Sequence, residues 1–324
     1  MMQQPQMMMP MVPMPPAMVV PMQPMVAITS THEQVSLYMD SIAGTLERLV
    51  LDWSGCEMLL HHLRGEHYEL VVGRVLEELS SADVLADVMC DDTGVQLILG
   101  LIGRCTTQQR LTILKAIGPC IFRISSSTNG AWAMQALINN LDSNEEVERL
   151  QRALKGRVAA MMMGTAASQV LIACGSRMRY LGANNFIFRE IAQGINSIVQ
   201  SQPAVTCFSS LIAVASPSQA SDLADSISTY VLRMAQHKLG NYVVQMVLDR
   251  AYSEHTDEDV KSNEVKDNKG ANKMLRAIGT DNQLKRITRA RAQSIAPHHS
   301  ASCVLLTRKL LLFMLCVSGA CGTV

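Results

Sequence analysis

From Thr31 onward, apolar side chains return at steps of three and four residues, the period of one buried helix face. No alternating run long enough for a half-exposed strand interrupts them. Proline is absent between Pro24 and Pro119, so nothing breaks the helical pattern over that stretch. The pattern predicts an all-α fold. Residues 1–30 differ, being mostly Met, Pro, Gln and Val with no charged side chain. Proline is too frequent there for a helix and Met too flexible to specify a core, so a disordered leader is expected.

The periodic region is self-similar. Its clearest segment is His237-Lys-Leu-Gly-Asn-Tyr-Val-Val-Gln245-Met-Val-Leu. Fainter copies begin at Asp52, Asp91, Ser127, Met161 and Gln202, with Gly55, Gly94, Gly130, Gly164, Val205 and Gly240 as anchors. Their spacings are 39, 36, 34, 41 and 35 residues. A second signal keeps the same phase. Thr106 to Gln109, Ser143 to Glu146 and Ser216 to Gln219 each follow an anchor by 11 to 13 residues and read as capping boxes. Pro217 stands at the favoured first helical position. Each unit is then a Gly-bearing loop, a helix, a turn and a capped second helix. Units of this size bury their apolar faces only against neighbours, which predicts a curved α-solenoid of about six to seven repeats. The polar stretch near 254–272 reads as an exposed insertion. A last unit would follow at residues 298–306, anchored on Ala301, 61 residues after Gly240. The repeat domain is thus expected over residues 31–310, followed by an apolar tail at 311–324.

Composition adjusts this picture in three ways. Hydrophobic residues make up 48% of the 324 but aromatics only 4%, so aliphatic side chains must build the core. Lys plus Arg equals Asp plus Glu at 28 each, which excludes a strongly basic chain. The charge is nonetheless uneven: residues 231–310 hold 14 Lys/Arg against 8 Asp/Glu, a net +6, and the rest of the chain a net −6. A polyanion would dock most readily toward the C-terminal half. Nine scattered cysteines without a C-x-x-C pair, and no secretory leader, fit free thiols in a reducing compartment. The tail is too short and too mixed for a bilayer span, so no membrane association is expected.

The segment from His237 to Gln245, with Met-Val-Leu after it, closely resembles the RNA-reading helix of the Pumilio (PUF) family. The weaker copies, their period and the polar insertion match that family's layout over residues 50–306, and the order of units resembles its plant-type branch. Asn241 and Gln245 stand four apart on one helix face, with Tyr242 beside them to stack on a base. Two edge-reading side chains and one stacker per repeat is how such proteins read single-stranded RNA one base at a time. The resemblance implies that Asn241 and Gln245 read uracil. It implies an mRNA regulator acting on 3′ untranslated regions to control translation or decay. It would be a cytoplasmic monomer with a nuclear pool, recruiting regulatory proteins on its convex face.

The other units depart from the pattern. Trp132 and Gln135 keep a stacker and one edge contact, but Ala131 offers no hydrogen bond. Thr165 and Gln169 resemble an adenine-reading pair, with Ala166 a poor stacker. Val95, Gln96 and Leu99 have lost the edge pair, and Cys56, Glu57 and Leu60, like Thr206, Cys207 and Ser210, are weak readers. Ser302 fits a guanine-reading pattern, although Cys303 and Leu306 replace the usual stacker and Glu. The family's usual eight-repeat array is expected to be shortened here.

Enzyme readings find no support. His61-His62 and His298-His299 are adjacent pairs, not H-E-x-x-H, and no G-x-S-x-G, P-loop or G-x-G-x-x-G occurs. Asp257-Glu-Asp259 lacks the Gly and terminal Glu of a calcium loop. No catalytic residue, cofactor or metal is expected. The competing reading is a degenerate helical-repeat scaffold that binds protein and little RNA. A generic armadillo- or HEAT-like solenoid explains the period but not the Asn-Tyr-Val-Val-Gln run.

Overall fold

The computed structural model describes residues 31–251 and 269–280. The leader at 1–30, most of the polar insertion, the unit with Ser302 and the tail at 311–324 lie outside the described residues. Among the described residues there are eighteen α-helices and no strand, as the periodicity predicts.

After a lone α1 (His32–Ser41), the chain makes six units. A full unit has a short first helix, a middle helix and a third helix. The first is α2 (Leu46–Leu51), α3 (Trp53–Arg64) and α4 (Tyr68–Glu78). Next come α5 (Ala82–Cys90), α6 (Gly94–Ile102) and α7 (Thr107–Ile117), then α8 (Ile121–Ser126), α9 (Thr128–Asn139) and α10 (Asn144–Leu154). The fourth is α11 (Val158–Met163), α12 (Thr165–Tyr180) and α13 (Asn185–Ile198); the fifth has only α14 (Gln202–Ala213) and α15 (Pro217–Ile227). The last is α16 (Val231–Gln236), α17 (Gly240–Ala251) and α18 (Lys269–Thr280). The start of α18 takes the last four residues of the expected insertion into a helix, with Gly270 and Ala271 buried.

The fifth unit has no separate first helix because α13 supplies it. Glu78 closes α4 and accepts from the Gly44 amide, whereas Glu190 accepts from the Gly156 amide in the middle of α13. The last two turns of α13 therefore run where a turn and a short helix stand elsewhere. The middle helices touch in order from α3 through α6, α9, α12 and α14 to α17, so one row of equivalent faces spans the array.

The repeated glycine has a steric origin. A Cβ on Gly55, Gly94, Gly130 or Gly240 would lie 2.5, 2.6, 2.2 or 2.6 Å from the carbonyl oxygen six residues earlier, on the short first helix. The middle helix is pressed onto that helix, and the residue capping it folds back. In Ser127, for instance, the N–H donates to Ile124 O and the hydroxyl accepts from the Gly130 amide. Gly130→Ala should therefore lower stability by about 1–3 kcal/mol, because only a backbone shift makes room. Gly73→Ala is the control: it lies exposed inside α4 with nothing within 4 Å of the added carbon. That change should raise stability by about 0.5–1 kcal/mol. Urea unfolding midpoints moving in the same direction for both variants would contradict this packing.

All three expected capping boxes form, on α7, α10 and α15, with Pro217 in the first turn of α15. A fourth box, Thr31 with Gln34, starts α1, which packs on α4 as a lone third helix. Two arginines tie successive middle helices together. Arg177 of α12 donates to Leu141 O just beyond α9, and Arg250 of α17 donates to Ala215 O just beyond α14. Both supply donors to carbonyls that a helix end leaves unpaired.

Candidate functional site

The strongest motif sits where its sequence places it. His237 caps α17, its Nδ1 accepting from the Leu239 and Gly240 amides at 3.3 Å each. From the packed glycine, the next residue is half-buried Asn241, then exposed Tyr242, and four beyond Asn241 is half-buried Gln245. Gln245 Nε2 donates to Asn241 Oδ1 at 3.1 Å, while Gln245 Oε1 is buried and has no hydrogen-bond partner. Tyr242 keeps 48% of its surface exposed, enough for a ring face to receive a planar ligand.

Laying the other middle helices over α17 by cap, burial and packing fixes the equivalent positions. On α9 they are Ala131, Trp132 and Gln135, as expected; Trp132 is 52% exposed. Gln135, however, donates to Ala131 O in its own helix at 3.1 Å. On α3 they are Cys56, Glu57 and Leu60, and on α6 Val95, Gln96 and Leu99, also as expected. Burial raises the Cys56 thiol pKa, so this sulfur stays protonated and unreactive near neutral pH.

Two registers differ from the sequence reading. On α12, Gly164 is the extended capping residue (φ −96°, ψ 136°), and Ala167 takes the packed slot. The residues equivalent to Asn241, Tyr242 and Gln245 are therefore Ser168, Gln169 and Ile172. The Arg177 contact and the burial of Gln169 and Ile172 repeat those of α17 at a constant offset of 73 residues, while Ser168 is buried where Asn241 is half-buried. Thr165 stands in the first turn, so the adenine-like pairing of Thr165 with Gln169 as edge readers is not formed in register. Gln169 occupies the stacker position instead. On α14, Ser201 accepts from the Ala204 amide, so Ala204 rather than Val205 is the packed residue. The equivalents become Val205, Thr206 and Ser209, and Cys207 points into the core. Glycine marks the cap and not the packed slot at Gly164; the cap three residues before the packed slot is what sets the register.

Thr165 still lies beside the row. A groove of about 480 Å³ between α9 and α12 is lined by Ala131, Trp132, Gln135, Thr165, Ala166 and Gln169, with Ser126 and Thr128 at its edge. Four residues of the expected site thus share one concavity. The row itself is sparsely charged: α6, α9 and α14 carry no charged residue. Ser302 lies outside the described residues. Elsewhere, His62 is half-buried against Tyr38 at 4.7 Å between ring centroids, and burial, then neighbouring His61, lowers its pKa. Among the described residues no group of three His, Cys, Asp or Glu could hold a metal ion, and no helix is long and apolar enough to cross a membrane.

No family model matches the chain. It is 24% identical over 209 residues to a Pumilio domain-containing protein of Schizosaccharomyces pombe, covering 61% of this chain and 30% of that protein. It is 22% identical over 214 residues to Pumilio homolog 12 of Arabidopsis thaliana, covering 64% and 34%. The chain spans about a third of the length of the curated relatives it matches. Among solved structures, the Puf4 RNA binding domain bound to the HO endonuclease RNA 3′ UTR recognition sequence superposes with a TM-score of 0.60 at 21% identity. That match covers 86% of this chain and 80% of that one. The RNA-binding domain of yeast Puf5p bound to AAT2 RNA gives 0.59 at 17% identity, covering 85% and 77%. The fold is the curved helical-repeat solenoid of those domains.

Proposed function

We propose that this chain, a divergent relative of the Pumilio-domain proteins, binds single-stranded RNA along the row of middle helices, with α17 reading uracil. The observation that carries the reading is the amide pair on α17. Asn241 Oδ1 already accepts from Gln245 Nε2, which leaves an Asn241 donor beside the buried, unpartnered Gln245 Oε1 acceptor. A buried acceptor without a partner is costly and calls for an explanation. A uracil edge, an N–H between two carbonyls, would supply the complement of both groups once the Gln245 amide turns its Oε1 outward. Tyr242 beside them provides the stacking face. Occupancy of mRNA 3′ untranslated regions, with regulatory proteins recruited on the convex side, would then control translation or decay. A cytoplasmic setting agrees with the free thiols of Cys56, Cys90, Cys105, Cys120, Cys174 and Cys207.

A protein-binding scaffold is the second reading, and one observation favours it. The position of Asn241 is filled by buried Cys56, Val95, Ala131 and Val205 in four other units, none of which offers a base-edge contact of comparable strength. Selection of the full chain against a randomised RNA pool separates the two. Enrichment of a short motif with one fixed uracil supports RNA reading; an unenriched pool favours the scaffold.

Salt gives a second readout. With so few cations on the row, roughly two phosphates should be neutralised, for a slope of about −1 to −2 in log affinity against log salt. Salt-independent binding would speak against phosphate contacts altogether.

A further inference from the structure

On the side away from the middle helices, α7 and α10 enclose a pocket of about 300 Å³ at their C-terminal ends. Lys115, Arg149, Arg152, Lys155 and Arg157 line it, and no carboxylate does. None of the five takes part in an ion pair among the described residues. Arg149 Nε is buried with no hydrogen-bond partner. The Arg152 side chain donates only to Glu148 O of its own helix, at 3.3 Å, and the Arg157 side chain only to Pro119 O, at 3.4 Å. Glu190, on neighbouring α13, accepts from the Gly156 amide and does not line the pocket. Lys115 and Arg152, in the last turns of α7 and α10, complement the helix dipoles. Lys155, the C-cap of α10, does the same, which leaves Arg149 and Arg157 without such a role.

The cluster is a point and not a track. On α4 the one basic side chain is Arg74, paired with Asp40 and Glu77; α13 has only Arg189, and α15 has no Lys or Arg, so the cations of α18, at the far end of the row, do not continue the cluster. A nucleic-acid backbone presents singly charged diesters in a line and needs cations along several units. Converging guanidiniums around one concavity instead suit a phosphomonoester, with its nearly double charge and three acceptor oxygens. We infer that this pocket binds a phosphorylated serine or threonine of a partner protein. The inference does not rest on the RNA reading, since α7 and α10 belong to the opposite row.

The test is fluorescence anisotropy of the full chain with a labelled Gly-Ser peptide carrying one phosphoserine, beside its unphosphorylated twin. The phosphopeptide should bind about tenfold or more tightly than the twin, and Arg149→Ala with Arg152→Ala should remove most of that difference. Arg74→Ala with Arg123→Ala, exposed arginines outside the pocket, should leave it unchanged. Should the double alanine variant fold poorly by circular dichroism, Arg149→Lys with Arg152→Lys keeps the charge but loses the planar fork, and should still weaken binding several-fold. Equal affinity for the two peptides, or full binding by the lysine variant, would overturn the inference. Displacement of the phosphopeptide from the unmodified chain by oligoadenylate RNA at equal phosphate would overturn it in favour of a nucleic-acid contact.

Discussion

Replacing Glu146 by alanine is expected to cost the fold about 3–5 kcal/mol, the loss typical of breaking one side of a buried ion pair. Glu146 has no exposed surface, and both oxygens of its carboxylate accept hydrogen bonds. Oε1 accepts from Arg110 Nε at 2.6 Å, and Oε2 accepts from the amides of Asp142 and Ser143 and from the Ser143 hydroxyl. The residue thus closes the capping box of α10 and, through Arg110, ties α10 to α7. Its removal would leave Arg110 buried with only Asp142, Thr107 and the Cys105 carbonyl as partners. Glu146→Gln keeps the cap but not the charge and should fall between wild type and Glu146→Ala. Arg110→Ala combined with Glu146→Ala should cost less than the two single losses added, because neither leaves the other unpaired. Denaturant unfolding of wild type and the four variants checks this; a Glu146→Ala loss under about 0.5 kcal/mol would mean the pair is idle.

How far the sequence could be read follows from where each signal resides. The capping boxes on α7, α10 and α15 are local, needing only residues three apart, and they formed as written. Thr31 with Gln34 carried the same signature and was legible too. The glycine slot was legible where glycine filled it, and illegible on α12 and α14, where Ala167 and Ala204 take the packed position. On α12 the glycine, Gly164, stands at the cap position instead. The join of α13 into the fifth unit was hidden because nothing in its sequence breaks the helix before Val199. The Arg110–Glu146 pair lies 36 residues apart, so only the stacking of units brings it together. In the candidate site, Asn241, Tyr242 and Gln245 were readable because residue type, spacing and cap agree. The hydrogen bond that turns Gln135 back onto Ala131 was not, since it depends on a rotamer.

The second large effect concerns α17. Asn241→Ala with Gln245→Ala should abolish the preference for uracil, a loss of about 1–3 kcal/mol of discrimination by analogy with paired base-edge contacts. Tyr242→Ala should instead weaken all four bases by a similar amount, about 1–3 kcal/mol, because every base has a face to stack on. Edge contacts specify, and stacking adds affinity without choosing. With buried apolar residues at the equivalent of Asn241 in most other units, this one helix should carry an unusual share of the specificity. Its effect should therefore not be masked by neighbours.

The most direct measurement is the affinity of the full chain for four short RNAs that differ only in the base opposite α17. The expected result is a preference for uracil that disappears in Asn241→Ala with Gln245→Ala and survives, at lower affinity, in Tyr242→Ala. Equal affinities for all four bases in the unmodified protein, or no RNA binding at all, would contradict the claim that this helix reads a base.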